Sequence, residues 1–506
     1  MAGGSGKREM LLGGLCLMGR RPGVNKYWVR GMMRETIDHS ASDIGAYERR
    51  RIIFASVIGT TIEFYDFYIY ATAAVSVFPL LFFPKGEGTA ALLASMATFG
   101  VAFVARPIGS MVFGHFGDRV GRKATLVGSL VMMGLATFLI GLLPTYYQIG
   151  LFAPAILTVL RFCQGLGLGG EWSGAALLAL ETAEQGKRAR AAMWPQLGAP
   201  FGFLLANGFF LVLTLAFGFN SGAAQQSDSF VAWGWRIPFL ASIALVLVGL
   251  YVRLKLNETP VFARAVERGE TLKSPLAAVL RNNRRELVLG TFAMVATYCL
   301  FYLMTTWVLS YAIGKRELGF LGIGYRDFLV LQLVSVLFFA AFIPVSGYLA
   351  DKLGRRSFLI AVTAAIIAFG LSFGWFLSPQ VMGSGADANL WLMLAFLTIG
   401  MILMGLTFGP MSALLPEMFP TNARYTGSGV AYNLSSIIGA ALTPFAATWL
   451  VINFGVTAVG YYLAFLASMT LLSLVLSRET KNTNLDTMAD DAAEDAATVA
   501  IEATSP

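Results

Sequence analysis

The sequence predicts an all-α membrane protein: twelve transmembrane helices arranged as two related six-helix bundles. Four observations predict it. Of 506 residues, 56% are hydrophobic and only 13% charged, whereas soluble domains carry about 25% charged residues to face water. Apolar runs of about 20 residues recur along the chain, the length a helix needs to cross a hydrocarbon core of about 30 Å. Strand-type alternation in shorter runs, which a spanning barrel would need, is absent. Finally, one ten-residue loop pattern occurs twice, at matching places in the two halves.

The apolar segments are read at 52–80, 90–113, 124–143, 147–170, 189–217 and 235–254, then at 286–313, 326–350, 357–377, 390–414, 424–452 and 457–477. The expected organisation is an N-terminal tail (1–45), a first six-helix bundle (46–254), a charged linker (255–285), a second bundle (286–477) and a polar, acidic tail (478–506). Met10–Met18 is a short apolar run, but Arg20, Arg21 and Lys26 follow it and no small-residue cleavage pattern is evident. A cytoplasmic tail, with true initiation at Met32 or Met33, is therefore expected rather than a cleaved signal.

Orientation follows from the basic residues. Arg49–Arg51, Arg119–Lys123, Lys187–Arg190, the linker and Lys352–Arg356 are Lys/Arg-rich, while the connections near 144–146, 218–234, 378–389 and 453–456 hold neither residue. Lys85 and the Lys315–Arg316–Arg326 loop are exceptions that leave the asymmetry standing. The chain is thus expected to be a multi-pass inner-membrane protein with both termini cytoplasmic. The same distribution explains the net charge of +8 without nucleic acid. Cys16, Cys163 and Cys299 are far apart and the only histidines are His39 and His115, so neither a disulfide framework nor a metal is expected, and no cofactor.

The repeated loop is Gly114-His-Phe-Gly-Asp118-Arg119-Val-Gly121-Arg122-Lys123 and Gly347-Tyr-Leu-Ala-Asp351-Lys352-Leu-Gly354-Arg355-Arg356. Glycines permit a tight turn between antiparallel helices, the aspartate suits the positive end of a neighbouring helix or an arginine, and the basic residues suit an anionic leaflet. Two copies in register point to a duplicated six-span unit, an architecture of secondary transporters.

This paired loop resembles the signature of the major facilitator superfamily, and Leu157-x-x-x-Arg161-x-x-Gln164-Gly165 resembles a second one. Other stretches look like its metabolite:proton symporter branch: Gly59-Thr-Thr-Ile-Glu63-Phe-Tyr-Asp66, Phe103-Val-Ala-Arg106-Pro107, Gly169-Gly170-Glu171-Trp172, Trp235-Arg236-Ile-Pro238 and Leu415-Pro416-Glu417-Met-Phe419-Pro420. The resemblance covers about residues 46–480 and implies a major facilitator fold and alternating access. It also implies proton-coupled symport of a small organic metabolite, and the gating role for Gly114, Asp118, Arg119, Gly121, Arg122, Asp351, Lys352, Gly354 and Arg355. The branch transports carboxylates such as shikimate or 2-oxoglutarate, and zwitterions such as proline or betaine. A carboxylate is the lead substrate and a zwitterion the runner-up. Uniport, antiport and a transporter-like sensor are the other readings. The expected partners are solute, proton and lipid bilayer, with the chain a monomer.

An ionisable group at membrane depth costs about 2.5–3.5 kcal/mol or more and usually has a function. The first half holds Glu63, Asp66, Arg106, Arg161 and Glu171, while the second holds almost none. Glu63, Asp66 and Tyr70 share one helix face. Gln164 and Glu171 share another, with Arg161 one turn before. A carboxylate released from an arginine becomes protonatable when desolvated. Asp66, Glu171 and Glu63 are therefore candidates for proton coupling. Arg106, Arg161, Gln164, Tyr298, Tyr302 and Asn433 are candidates for substrate binding, with Gln332 a further polar group at midspan. The alternative for each is a packing role, as a buried pair or a helix-to-helix hydrogen bond. An enzyme is not expected: no nucleotide loop occurs, and Gly165-x-Gly167-x-Gly169-Gly170 lies in an apolar span, where close helix packing explains it.

Overall fold

The computed structural model describes residues 46–83, 88–120, 122–169, 172–181, 183, 186–218, 229–254, 275–420 and 424–481. The first half runs α1 (Ala46–Ser76), α2 (Gly88–Val120), α3 (Arg122–Leu142), α4 (Phe152–Leu168 and Trp172–Glu181), α5 (Arg188–Gln196 and Gly198–Ala216) and α6 (a π turn, Phe230–Gly234, then Arg236–Leu254). A short helix, Pro275–Asn282, precedes the second half. There follow α7 (Arg284–Tyr302, a π turn at Leu303–Trp307, then Val308–Ile313), α8 (Tyr325–Leu353) and α9 (Arg355–Leu371 and Phe373–Leu377). Last come α10 (Leu390–Glu417), α11 (Arg424–Ser436, a π turn at Ile437–Ala441, then Leu442–Phe454) and α12 (Val456–Leu476). Among the described residues, eight of the twelve helices are long and apolar enough on their own to cross a membrane, by length and composition; within α3 and α4, Val127–Leu142 and Phe152–Leu168 are shorter apolar stretches.

Most helix bounds lie within a few residues of the apolar segments, but α1 starts earlier, at Ala46, α2 runs on to Val120, and α4 departs most. There the apolar run ends before Glu171, but helix resumes at Trp172 and continues to Glu181. Hydropathy stops at a charge. The helix continues because its far end packs on α5 and on α10 and α11 of the other half rather than facing lipid.

The two halves repeat each other in packing. In the first half α1 packs on α5, α2 on α4 and α3 on α6; in the second α7 packs on α11, α8 on α10 and α9 on α12. The halves meet along α5–α8 and α2–α11, which are equivalent pairs under the same correspondence. Small residues allow the closest approaches. A Cβ built on Gly165 would strike the Ala102 carbonyl, one on Gly109 the Leu166 carbonyl, and one on Gly169 the Arg106 carbonyl. The glycine run in α4 is therefore its seam with α2. Outward faces are apolar and exposed, as at Phe152, Val159, Leu247 and Phe465, as lipid contact requires.

The second copy of the repeated loop turns α8 into α9 through Gly354, at φ 100° and ψ 144°, a conformation that side-chain-bearing residues rarely adopt. The end of the bundle carrying this turn is called the motif end below.

Candidate functional site

Four of the first-half candidate charges lie inside the protein: Glu63 is 7%, Asp66 1%, Arg106 5% and Arg161 0% exposed. Arg161 is placed by α4 against α1 and α2. Its guanidinium lies over the rings of Tyr70 at 4.0 Å, Phe67 at 4.4 Å and Phe99 at 5.1 Å. Such cation–π contacts offset part of the cost of burial. Nη1 donates to Gln164 Oε1 at 2.9 Å, while Nε and Nη2 have no hydrogen-bond partner among the described residues. Gln164 Nε2 in turn donates to Thr137 Oγ1 on α3 at 2.6 Å.

Asp66 sits beside this chain of contacts, with Thr137 and Arg161 as its polar neighbours. Neither carboxylate oxygen has a geometrically sound hydrogen bond among the described residues. The Thr137 hydroxyl stands near the carboxylate and donates to the Met133 carbonyl at 3.0 Å. Asp66 and Arg161 are neighbours without forming an ion pair.

Arg106, on α2, lies over the rings of Phe103 at 4.7 Å and Phe67 at 5.1 Å. Around it stand the tyrosines Tyr302, Tyr298 and Tyr432 and the acid Glu63. Tyr302, from α7, closes the site from the second half, with its ring 5.1–5.8 Å from those of Phe103, Phe99 and Phe67. Tyr298 stacks near-parallel to Tyr302 and tilts against Tyr432 at 5.2 Å. An aromatic floor completes the site: Trp172 of α4 and Tyr432 of α11 lie face to face.

The remaining sequence candidates fall as follows. Glu63 is buried on α1 near Arg106. Asn433 donates Nδ2 to the Gly169 carbonyl at 3.3 Å, so it bridges the halves. Gln332 donates Nε2 to the Met304 and Thr305 carbonyls, both at 3.0 Å, within the π turn of α7. Glu171 lies outside the described residues, as does Gly121, and so do the side chains of the first loop copy, Gly114, Asp118, Arg119 and Arg122.

The second loop copy is fully placed. Asp351 accepts from the amides of Ala189 and Arg190 at 3.1 Å each, at the N-terminus of α5 in the other half. It also pairs with Arg355 at 3.1 Å. Arg355, fully buried, pairs with Glu417 at 3.2 Å, and Thr480 donates to the same Glu417 carboxylate at 2.6 Å. Lys352 is exposed, and its carbonyl accepts from Lys481 at 2.8 Å. Gln196 to the Phe408 carbonyl (3.2 Å) and Ser412 to the Ala192 carbonyl (2.8 Å) add to the closure between halves at the motif end.

Sequence reading did not single out Thr137 or Tyr432, and it met Trp172 only within Gly169-Gly170-Glu171-Trp172, not as a site residue. Thr137 is a threonine within an apolar run, and the two rings belong to different halves, so nothing local pairs them. Glu479, which accepts from the Arg355 and Arg356 amides at 2.8 and 3.1 Å, had one available signal. It is an acid directly after the last span, where a helix N-terminus is close at hand.

Two six-helix halves closing over buried charges and aromatic rings at mid-membrane define a solute transporter, not an enzyme. The chain belongs to the Major Facilitator Superfamily, whose family model matches residues 56–440. It is 51% identical over 450 residues to the inner membrane metabolite transport protein YhjE of Escherichia coli K12, covering 89% of this chain and 99% of that one. It is 34% identical to the shikimate transporter of the same strain, covering 80% and 88%. Among solved structures it resembles the xylose transporter XylE from E. coli in a partially occluded inward-open conformation. The TM-score is 0.65, over 87% of this chain and all of that one; at 17% identity the likeness is one of fold.

Proposed function

We propose that this transporter is a proton-coupled symporter of a small organic carboxylate, working by alternating access as a monomer in the inner membrane with both termini cytoplasmic. One observation carries the reading. Asp66 is a buried acid with no hydrogen bond of its own among the described residues, and it stands beside Arg161, a buried cation with two unbonded nitrogens and no ion pair. An acid at membrane depth is suited to carry a proton, and an unpaired guanidinium to fork onto a carboxylate. Arg106 supplies a second cation and Tyr302 and Tyr298 the facing wall. Tails at 1–45 and 478–506 and a linker at 255–285 bound the two bundles in this reading, and the two loop copies gate the motif end, taken as the cytoplasmic one. Similarity to a shikimate transporter supports a carboxylate as the solute.

A zwitterion is the second reading. The rings of Phe67, Phe99, Phe103 and Tyr302 cluster tightly, and aromatic faces also attract quaternary ammonium groups.

The test is uptake by proteoliposomes of the full chain, using labelled carboxylates and betaines with and without an inward proton gradient. A carboxylate that accumulates only with the gradient is the expected result. Equal uptake in both conditions would replace symport with uniport, and accumulation of betaines alone would replace the substrate class.

A further inference from the structure

We propose that Thr137 and Gln164 are positioning residues that hold Arg161 away from Asp66 and so set how tightly Asp66 keeps its proton. The proposal rests on the reading of Asp66 as the proton carrier.

The geometry is a three-link chain. Arg161 Nη1 donates to Gln164 Oε1 at 2.9 Å, Gln164 Nε2 donates to Thr137 Oγ1 at 2.6 Å, and Thr137 Oγ1 donates to the Met133 carbonyl at 3.0 Å. All three side chains are at most 1% exposed. Gln164 is thus engaged at both ends of its amide inside the first half. Its position between the guanidinium and α3 suits a clamp better than a solute contact. The threonine anchors the clamp because its single proton is committed to the helix carbonyl, leaving its lone pairs for Gln164.

Without the clamp, Arg161 has an alternative. It keeps Nε and Nη2 unbonded, and Asp66 keeps both oxygens unbonded. Arg161 lies 4.0 Å over the ring of Tyr70, one helical turn from Asp66 on the same face of α1, yet acid and guanidinium make no ion pair. Releasing Nη1 lets a fork close onto the carboxylate, and an opposite charge at contact favours the ionised acid. The groups facing the pair from the surrounding helices are few: Tyr65 and Tyr70 on α1, Arg106 on α2 and Tyr302 on α7, besides Thr137 on α3 and Arg161 itself on α4. Arg106, Tyr70 and Tyr302 are held by ring contacts and Tyr65 by its hydroxyl, which donates to the Pro238 carbonyl at 3.0 Å, so Gln164 and Thr137 are the groups whose loss changes where Arg161 points.

The experiment needs no solute. The probe is the proton, read by infrared difference titration of the full purified chain. The Asp66 carbonyl band is defined as the band that Asp66→Asn removes. Thr137→Val keeps the shape and deletes the anchor; it should move the band's titration midpoint down by about one pH unit or more, the scale of an added opposite charge. Gln164→Leu should do the same, and Thr137→Ser, which restores the hydroxyl, should titrate like the wild type. A midpoint unchanged or raised in both Thr137→Val and Gln164→Leu overturns the clamp. If Asp66→Asn removes no titrating band at all, the reading of Asp66 as carrier fails instead, which is a different outcome. Should Thr137→Val not fold, Gln164→Leu alone decides the question, since it leaves α3 intact.

Discussion

Trp172 and Tyr432 lie face to face across the two halves, with ring centroids 3.7 Å apart and planes 7° from parallel. One ring comes from the far piece of α4, the other from α11, and no local sequence pattern joins them. The stack closes the motif-end side of the cluster formed by Tyr298, Tyr302 and Arg106. An aromatic pair contributes about 0.5–1.5 kcal/mol beyond its buried area, and here that energy favours only the state closed at the motif end.

Tyr432→Ala should therefore raise the population open at the motif end by about fivefold, since about 1.4 kcal/mol is a factor of ten. Spin labels at exposed Lys187 and Leu353, one on each half, report the opening as a second, longer distance. A distance distribution identical to that of the parent would remove the stack from the closing contacts.

The Asp351 turn makes a second, electrostatic contribution to the same closure. Its carboxylate meets two amides at the α5 N-terminus, where a negative charge is favoured by up to about 2 kcal/mol in partly buried geometry. Asp351→Asn should increase hydrogen exchange of the Ala189 and Arg190 amides by about tenfold, with little change in the Asp66 region. Unchanged exchange would mean that Asp351 serves Arg355 alone.

The α2–α4 seam predicts a fold defect rather than a functional one. Gly165→Val places side-chain atoms where the Ala102 carbonyl lies, and backbone cannot yield as a flexible side chain can. Overpacking of this kind costs about 1–3 kcal/mol, and the upper end is expected. A thermal melt in detergent measures it; an unshifted melting temperature would show that the helices slide apart at no cost.

The twelve spans and the duplication were legible because both are written locally, in apolar runs and in two copies of one loop. So were the buried charges Asp66, Arg106 and Arg161, since a charge inside an apolar run has few explanations. Partners were not legible. Gln164 carries no mark that distinguishes an amide spent on Arg161 and Thr137 from one left for solute. Asn433 reads as a cavity residue until α11 is seen to meet Gly169. The far piece of α4 was cut short at Glu171 because hydropathy counts a charge as an end, whatever the helix packs against.

Orientation is testable directly. Reporter fusions after Lys273 and after Thr487 should behave as cytoplasmic, and one near Gln225 as external, because Lys and Arg crowd the motif end. An external signal at Thr487 would overturn the even count of crossings.

The coupling itself depends on a proton moving with the solute. If Asp66 carries it, Asp66→Asn imitates the permanently protonated carrier. Loaded carriers still reorient, so counterflow of a transported solute should persist. The empty carrier cannot shed its proton and return, so accumulation driven by a proton gradient should fall to background. Glu63→Gln and Glu171→Gln, made in parallel, identify which acid holds the role. Arg161→Gln and Arg106→Gln should differ from all three and lose counterflow as well, because a cation that holds the solute is needed in every loaded state. The measurement compares counterflow with gradient-driven uptake in the same proteoliposomes. Should all three acid variants accumulate solute like the parent chain, the first-half acids do not couple transport to protons, and facilitated uniport becomes the better account of the buried pair.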